Sequence, residues 1–573
     1  MALETCADPA RRRRLGRRLG DALSSAARGA EAAAAYLAAA DHTGGQEKLQ
    51  LLSFGASQLI RSGEVRRGTE MLDGVLREVG LNVPRSPAGQ LLTMARLQLR
   101  VWRRGVEFQP VNPEDVPPDQ LFRVDLCGLA CLMFALTDPL RSAAFTARYL
   151  QMALDTGEPY RVAMALSGSA LHLSLLPWKR MSSLADDYLR RASQLAALSG
   201  VPRGQAFVHL MRGLVGYLQG QWEATALECD RAAALFRESC TDIAWELAMA
   251  MMFSQLALVL RGRWREVRER TVSIAREAQS RGDIQEWLPR LQSCAFRALL
   301  GAGKPMEALK TLERASAVWP NEAYNIHTVN ALLGEIEAGL YLGQPDDAWK
   351  RLQREWNALK RSRVLALPTT NAMIRLARGR LALAMATRCA GSEQKAFLRL
   401  AGGEAHTIER RGPQWSKGFV NLLRAGLASF ERAGDLAQQH LEAAERHLRD
   451  AGLEGHQMAV AWRLAQVRGQ ARGSELEQWV QREEVAEPDR IADLVTPGLW
   501  TAGLAGLKRG QDRPRADSIG RQRAAAGATE QKPGNKWSKA DQPTNRSESD
   551  TIGCYADQRR DAGLENSVRE NKR

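Results

Sequence analysis

The sequence predicts an all-α fold, an α-solenoid of stacked helical hairpins with a disordered C-terminal tail. Three observations carry that prediction. Ala, Leu, Arg, Glu and Gln dominate a chain that is 45% hydrophobic and only 6% aromatic, and these are good helix formers. β-branched residues are sparse, and no long stretch alternates apolar and polar as a half-buried strand would. Four turns, Gly220-Gln221-Trp222, Gly262-Arg263-Trp264, Gly303-Lys304-Pro305 and Gly343-Gln344-Pro345, recur with glycine spacings of 42, 41 and 40 residues. Each glycine closes one apolar-periodic segment, and the Trp or Pro two positions later opens the next. A fixed period near forty marks hairpins that bury their apolar stripes against their neighbours.

Residues 1–104 read as N-terminal helical hairpins. Arg11–Ser25 carries Leu15, Leu19 and Leu23 at four-residue spacing, and Glu31–Ala40 returns with Ala32, Tyr36 and Ala39 facing Gly20. A second hairpin turns at Ser62-Gly63, with Val65, Leu72 and Val75 on its return helix. A further helix spans Pro87–Arg104. Residues 105–120 carry four prolines and predict a connecting loop, because an internal proline removes a helical hydrogen bond. Residues 121–507 form the repeat array, opening with helices at Leu121–Thr137, Pro139–Thr156 and Pro159–Leu176. Asp138-Pro139 and Glu158-Pro159 place proline in a first turn, where its missing N–H is harmless. The most regular part runs from Ser182 to Leu359. Further helices follow at Pro368–Arg388, Ala396–Arg411, Trp415–Arg432, Leu436–Asp450, Gln457–Ala471 and Glu475–Arg482. Residues 508–573 have almost no apolar periodicity and predict a disordered basic tail.

Charge and cysteine usage narrow the function classes. The net charge is +15, and Lys508–Arg573 holds 15 Lys/Arg against 10 Asp/Glu, so a third of the excess lies in the tail. Over the remaining residues the excess is mild, which makes nucleic acid an unfavoured partner. Eight scattered cysteines show no disulfide framework, and no apolar run is long enough to span a bilayer. The expectation is a reduced cytoplasmic protein without a membrane partner. Glu4 and Asp8 argue against an Arg-rich organellar presequence.

The residues Leu19, Gly20, Ala32, Tyr36 and Ala39, and again Ala308, Leu312, Ala315 and Pro320, resemble degenerate tetratricopeptide repeats, although the period exceeds 34. A closer resemblance covers most of residues 10–470. It rests on Arg11–Ala40, on EPYRVAMALS (Glu158–Ser167), on LFRESCTDIAWEL (Leu235–Leu247) and on LYLGQPDDAWKRL (Leu340–Leu352). These segments are similar to the C-terminal helical region of bacterial signalling proteins that join a serine/threonine kinase domain, an ATPase module and a repeat tail. There the catalytic parts precede the helical region, and this chain begins about where the repeats would. The resemblance implies a non-catalytic scaffold for protein–protein interaction in kinase-linked signalling. Its partner would be a protein or peptide, including a kinase or ATPase domain. The alternatives are kinase or ATPase activity by family association, and nucleic-acid binding through basic surface and tail. No Gly-rich strand loop and no HRD, DFG or APE segment is present to carry the first of these.

Local motifs point the same way. Leu299–Pro305 contains a Gly-Lys pair, yet Ala298 stands where a phosphate loop needs glycine and Pro305 where it needs Ser or Thr. A helix-capping glycine followed by an N-terminal proline accounts for these residues. Cys127 and Cys131 share a helix face without nearby ligands and read as core thiols. His440 and His447 lie too far apart along a helix for one metal, and with His456 they read as surface or hairpin-facing. Ser169 reads as a packing residue, and Asp186-Asp187 and Asp346-Asp347 as helix-start or exposed pairs. No catalytic, cofactor or metal residue is assigned, and no cofactor is expected. Trp222, Trp264 and Trp349 predict packing between repeats. Trp178, Trp287, Trp319, Trp356 and Trp415, near helix ends, are the candidates for a partner groove. Arg261, Arg263, Arg265, Arg268 and Arg270 predict a solvated face, with an acidic partner as the alternative.

Overall fold

The computed structural model describes residues 9–500 except 27, 85, 136–137, 177–178, 242, 282–287, 318–325 and 432–433. The proposed tail, 508–573, lies outside the described residues. Among the described residues every regular element is helical. Two hairpins open the array, α1 (Pro9–Ser25) with α2 (Gly29–Ala40) and α3 (Gly45–Ser62) with α4 (Val65–Glu78). In the first, the Tyr36 ring lies directly over Gly20, and its hydroxyl donates to Asp21 Oδ1 at 2.8 Å. A side chain at Gly20 would meet that ring at 2.6 Å.

After α5 (Pro87–Arg104) the chain runs as a loop with one short 3-10 turn, Pro113–Asp115, until α6 (Pro118–Ala135), which starts three residues before the expected position. The intervening loop is tied down. Val111 N–H donates to the Gly157 carbonyl at 2.9 Å, Arg104 to the Leu154 carbonyl at 2.9 Å, and Glu107 pairs with Arg191. It straps the turn between α7 (Pro139–Thr156) and α8 (Pro159–Ser174). One hydrophobic core runs from Leu49 to Val495, so the prolines interrupt the helices and not the core.

The array continues through α9 (Lys179–Ser199), α10 (Pro202–Gln219), α11 (Trp222–Ser239), α12 (Ala244–Leu260) and α13 (Trp264–Arg281). Next come two short helices, α14 (Leu288–Ser293) and α15 (Phe296–Gly301), then α16 (Pro305–Ala317), α17 (Ile326–Tyr341) and α18 (Pro345–Arg361). The last part comprises α19 (Pro368–Ala386), α20 (Gly391–Arg411), α21 (Lys417–Phe430), α22 (Gly434–Asp450), α23 (Glu454–Arg468), α24 (Ser474–Arg482) and α25 (Pro488–Val495). The eight residues of α25 escape sequence reading because they complete barely two turns and show no sustained period.

The four glycine turns share one local mechanism. Each glycine has φ between +67° and +80°. The next residue's N–H reaches back five positions, Gln221 to Gly216, Arg263 to Leu258, Lys304 to Leu299 and Gln344 to Gly339, at 2.8–3.0 Å. This is the Schellman cap, which satisfies carbonyls that the helix end would otherwise orphan and favours glycine because left-handed backbone strains any Cβ. Lys304 is therefore a capping position, as its sequence context predicts.

What sequence did not reveal is that three of the four turns are docking edges. The later part of the chain runs beside the earlier part in the same order. Trp415 lies over Gly220, the backbone of Gly455 over Gly262, and Ala486 over Gly303. The Ala486 N–H donates to the Gly301 carbonyl at 2.9 Å. The solenoid thus packs its last hairpins onto the turns of its middle ones. A methyl group added at Gly343 would meet nothing within 4 Å, so this turn takes no part. Gly262→Ala and Gly343→Ala should therefore differ. Both incur backbone strain of about 1 kcal/mol. Only the first drives a methyl to 2.7 Å from the Gly455 nitrogen. Thermal unfolding of the pair should show at least twice the loss for Gly262→Ala, and equal losses would rule out a tight edge there.

Candidate functional site

The aromatic residues at these edges seal the fold. Trp222 packs edge-on to Trp415 with centroids 5.1 Å apart and donates Nε1–H to the Ala451 carbonyl at 2.8 Å. Trp264 meets Trp479 edge-on at 5.2 Å. Both contacts join residues far apart in the chain, so these tryptophans bridge distant parts of the array as well as opening their own helices. Trp349 does pack on the following hairpin, with Phe397 at 5.1 Å. Of the proposed groove residues, Trp356 is 9% exposed beneath the stacked guanidinium of Arg378, and Trp415 is 7% exposed. Both belong to the core, which corrects their placement in a partner groove. Trp178, Trp287 and Trp319 lie outside the described residues.

The arginine series is likewise consumed internally. Arg261 pairs with Glu223, Arg265 with Glu269, and Arg270 with Asp230 and Glu266. Arg263 faces Glu454 and Glu483, and Arg268 pairs with Glu484. The last two tie α13 and the turn before it to the later part of the chain. Half-exposed pairs contribute little singly, but together they fix the register of the edge. This neutralised face does not favour an acidic partner.

A chain of cavities lies along the inner helices. One, about 500 Å³, is bounded by α3, α6, α8 and α10, with Arg61, Asp125, Tyr160, Arg161, Arg203 and Glu246 among its lining. Arg203 donates to Glu246 at 2.5 Å, and the Arg61 guanidinium sits 5.4 Å from the Trp245 ring. Burial opposes the Glu246 charge, yet Arg203 and Arg61 outweigh it and hold the carboxyl below its usual range. Cys131, Leu132 and Gly168 also line a second cavity of about 140 Å³, almost wholly apolar, with Leu171, Leu214, Met249 and Phe253 in its walls. Tyr217, Thr369 and Thr370 line both that chamber and a third of about 70 Å³.

The third cavity has the only three mutually bonded buried charges described around these chambers. Arg297 Nε donates to Glu337 Oε2 at 2.8 Å, and Arg380 Nη2 to Glu337 Oε1 at 2.8 Å. Glu337 and Arg380 are each 1% exposed. Burial would raise the Glu337 pKa, but the two guanidiniums reverse this and hold it at about 2. His456, read from sequence as surface or hairpin-facing, is buried beside Phe419, with ring centroids 5.4 Å apart. Burial, and then the charges of Arg297 and Arg380, push its pKa well below 6.5 and keep it neutral. Glu337 is one of two glutamates in α17, beside Glu335, and Arg380 one of three arginines in α19, beside Arg375 and Arg378. Neither exceeds the noise of an Arg-rich helical chain.

The remaining candidates resolve simply. Cys127 donates to the Phe145 carbonyl and Cys131 approaches Thr146 Oγ1, both buried, and burial pushes both thiols up. Ser169 is buried in α8. His440 lies near Asn421, 3.3 Å away. Asp187, inside α9 and not at its start, pairs with Arg190 and Arg191. Asp346 and Asp347 occupy the first turn of α18. Among the described residues no group of three or more His, Cys, Asp or Glu is placed to hold a metal, and no helix is long and apolar enough to cross a membrane. No protein-family model and no curated protein matches the chain.

Proposed function

We propose that the chain is a non-catalytic helical-repeat scaffold that receives a protein or peptide partner along its inner groove, in bacterial kinase-linked signalling. The observation that carries this reading is the groove of about 500 Å³, where Arg161–Asp125 and Arg203–Glu246 are already paired while Phe122, Leu129 and Met164 remain only partly buried. Such a surface suits an extended segment with apolar side chains, because apolar contact supplies affinity and fixed charges supply orientation. The signalling context rests on the resemblance of Glu158–Ser167, Leu235–Leu247 and Leu340–Leu352 to repeat tails of kinase–ATPase proteins.

The test is direct titration of the purified chain with a kinase domain and an ATPase module of such a protein. Binding should weaken at least tenfold in the Phe122→Ala/Met164→Ala double variant, with helical content unchanged by circular dichroism. ATP turnover by the purified chain, abolished by a single substitution, would sink the scaffold reading in favour of an enzyme.

A further inference from the structure

We propose that the two inner chambers form one binding site for a medium-chain monocarboxylate, with its carboxylate beside Arg380, Arg297 and the start of α19 and its hydrocarbon chain in the apolar chamber. This small-molecule site goes beyond the partner groove and does not depend on it.

The charge balance is the first support. Arg297 and Arg380 share the single carboxylate of Glu337, and all three residues are at most 8% exposed. A net positive charge of one is left in an interior where an uncompensated ion is strongly disfavoured. His456 cannot compensate it, since an imidazole is either neutral or cationic. A bound monoanion completes the cluster.

The second support is the set of donors lining the same cavity. Thr369, 3% exposed, has a buried Oγ1 without a hydrogen-bond partner, and the buried Nε of Arg380 is also unpartnered. Thr369 and Thr370 stand in the first turn of α19, a helix of 19 residues that starts with Pro368 and carries no side-chain cap. Helix N–H groups in that turn have no partner four residues back and favour an anion. Guanidinium, hydroxyl and helix N-terminus therefore converge on one cavity of about 70 Å³, enough for a carboxylate and too small for a bulky polyanion.

The apolar chamber supplies the other half. Thr369, Thr370 and Tyr217 line both cavities, which places the carboxylate pocket directly beside the apolar chamber. At about 140 Å³, the chamber is close to the size of a dry engineered cavity that accepts a six-carbon ring. Leu171, Leu214, Met249 and Phe253 offer it no hydrogen bonds, and the ring nitrogens of His172 are already engaged by Ser142, Thr146 and the Gly168 carbonyl. A second charged or strongly polar end is excluded there by its desolvation cost. An acid with about six to eight carbons fits both ends of the site.

The experiment is calorimetry and thermal unfolding of the full chain with sodium octanoate, 1-octanol and sodium phosphate. Octanoate should bind and raise the melting midpoint, and octanol should bind at least tenfold more weakly. Arg380→Met leaves the neutral Arg297–Glu337 pair, so it should fold with an undiminished midpoint while octanoate affinity falls at least tenfold. Thr369→Val removes one hydroxyl and should weaken octanoate several-fold, and it serves as the reporter if Arg380→Met misfolds. Equal binding of octanol and octanoate overturns the carboxylate assignment. A phosphate effect as large as that of octanoate overturns the amphipathic ligand. Absence of octanoate binding, or full binding by a folded Thr369→Val and Arg380→Met, overturns the site.

Discussion

Trp264→Ala is expected to destabilise the protein by about 3–5 kcal/mol, the usual range for truncating a large buried aromatic. The indole is 2% exposed, donates Nε1–H to the Val259 carbonyl at 3.1 Å and packs over Gly301, Gly455 and Trp479. Its removal vacates the contact where α13, α15, α23 and α24 meet. Two consequences separate it from an ordinary core deletion. Hydrogen exchange should accelerate in residues 451–486 as well as in α13, because the closing segment loses its anchor. The hairpin of α7 and α8, remote from the edge, should retain its protection. Acceleration confined to α13 and α15 would mean that the closing segment stands by itself and that the tryptophan fills a local hole.

Glu337→Gln should cost about 3–5 kcal/mol at neutral pH, since it preserves volume but leaves two buried guanidiniums without their carboxylate. The same interaction has a pH signature. The folded pKa of Glu337 is about 2, below the ordinary value of 4.5. A depressed acid stabilises the fold fully above its unfolded pKa and loses that contribution as pH falls from about 4.5 towards 2. A shift of this size corresponds to about 3 kcal/mol, in line with the mutational expectation. His456 acts in an earlier window. Its folded pKa is depressed below 6.5, so its contribution is complete above pH 6.5 and declines as acid charges it in the unfolded chain first. Urea unfolding of the wild type from about pH 8 to about pH 3 should show two successive losses. In the Glu337→Gln variant the lower loss should shrink by about 3 kcal/mol, the share of other paired acids such as Glu246 remaining, and a parallel wild-type and variant profile below pH 4.5 would refute the triad's role.

The sites of these two predictions were unequally legible beforehand. Trp264 announced itself by position, two residues after a capping glycine in a repeating series. Its partner Trp479 did not, because nothing in residues 474–482 says which of the many other helices they will meet. Glu337, Arg380 and Thr369 carried no pattern at all. Their chemistry arises only when α17 and α19 are placed side by side. Trp356 and Trp415, selected for a groove by their nearness to helix ends, are buried in the core for a related reason. A large aromatic at a helix end stabilises packing wherever a neighbour arrives, and at Trp356 and Trp415 a neighbour does arrive.

Local physics determined the class, the hairpins and the caps. A glycine in left-handed backbone, a proline in a first turn and an apolar stripe with helical period act over a few residues, so Gly220, Gly262, Gly303 and Gly343 could be placed from sequence. Tertiary structure alone decided which turns would be covered, and hence where the interior would close. Closure depends on the accumulated small rotation of successive hairpins, which brings Trp415 to Gly220 and Ala486 to Gly303. No local signal encodes that sum, and the paired charges and chambers inside the array exist only because of it.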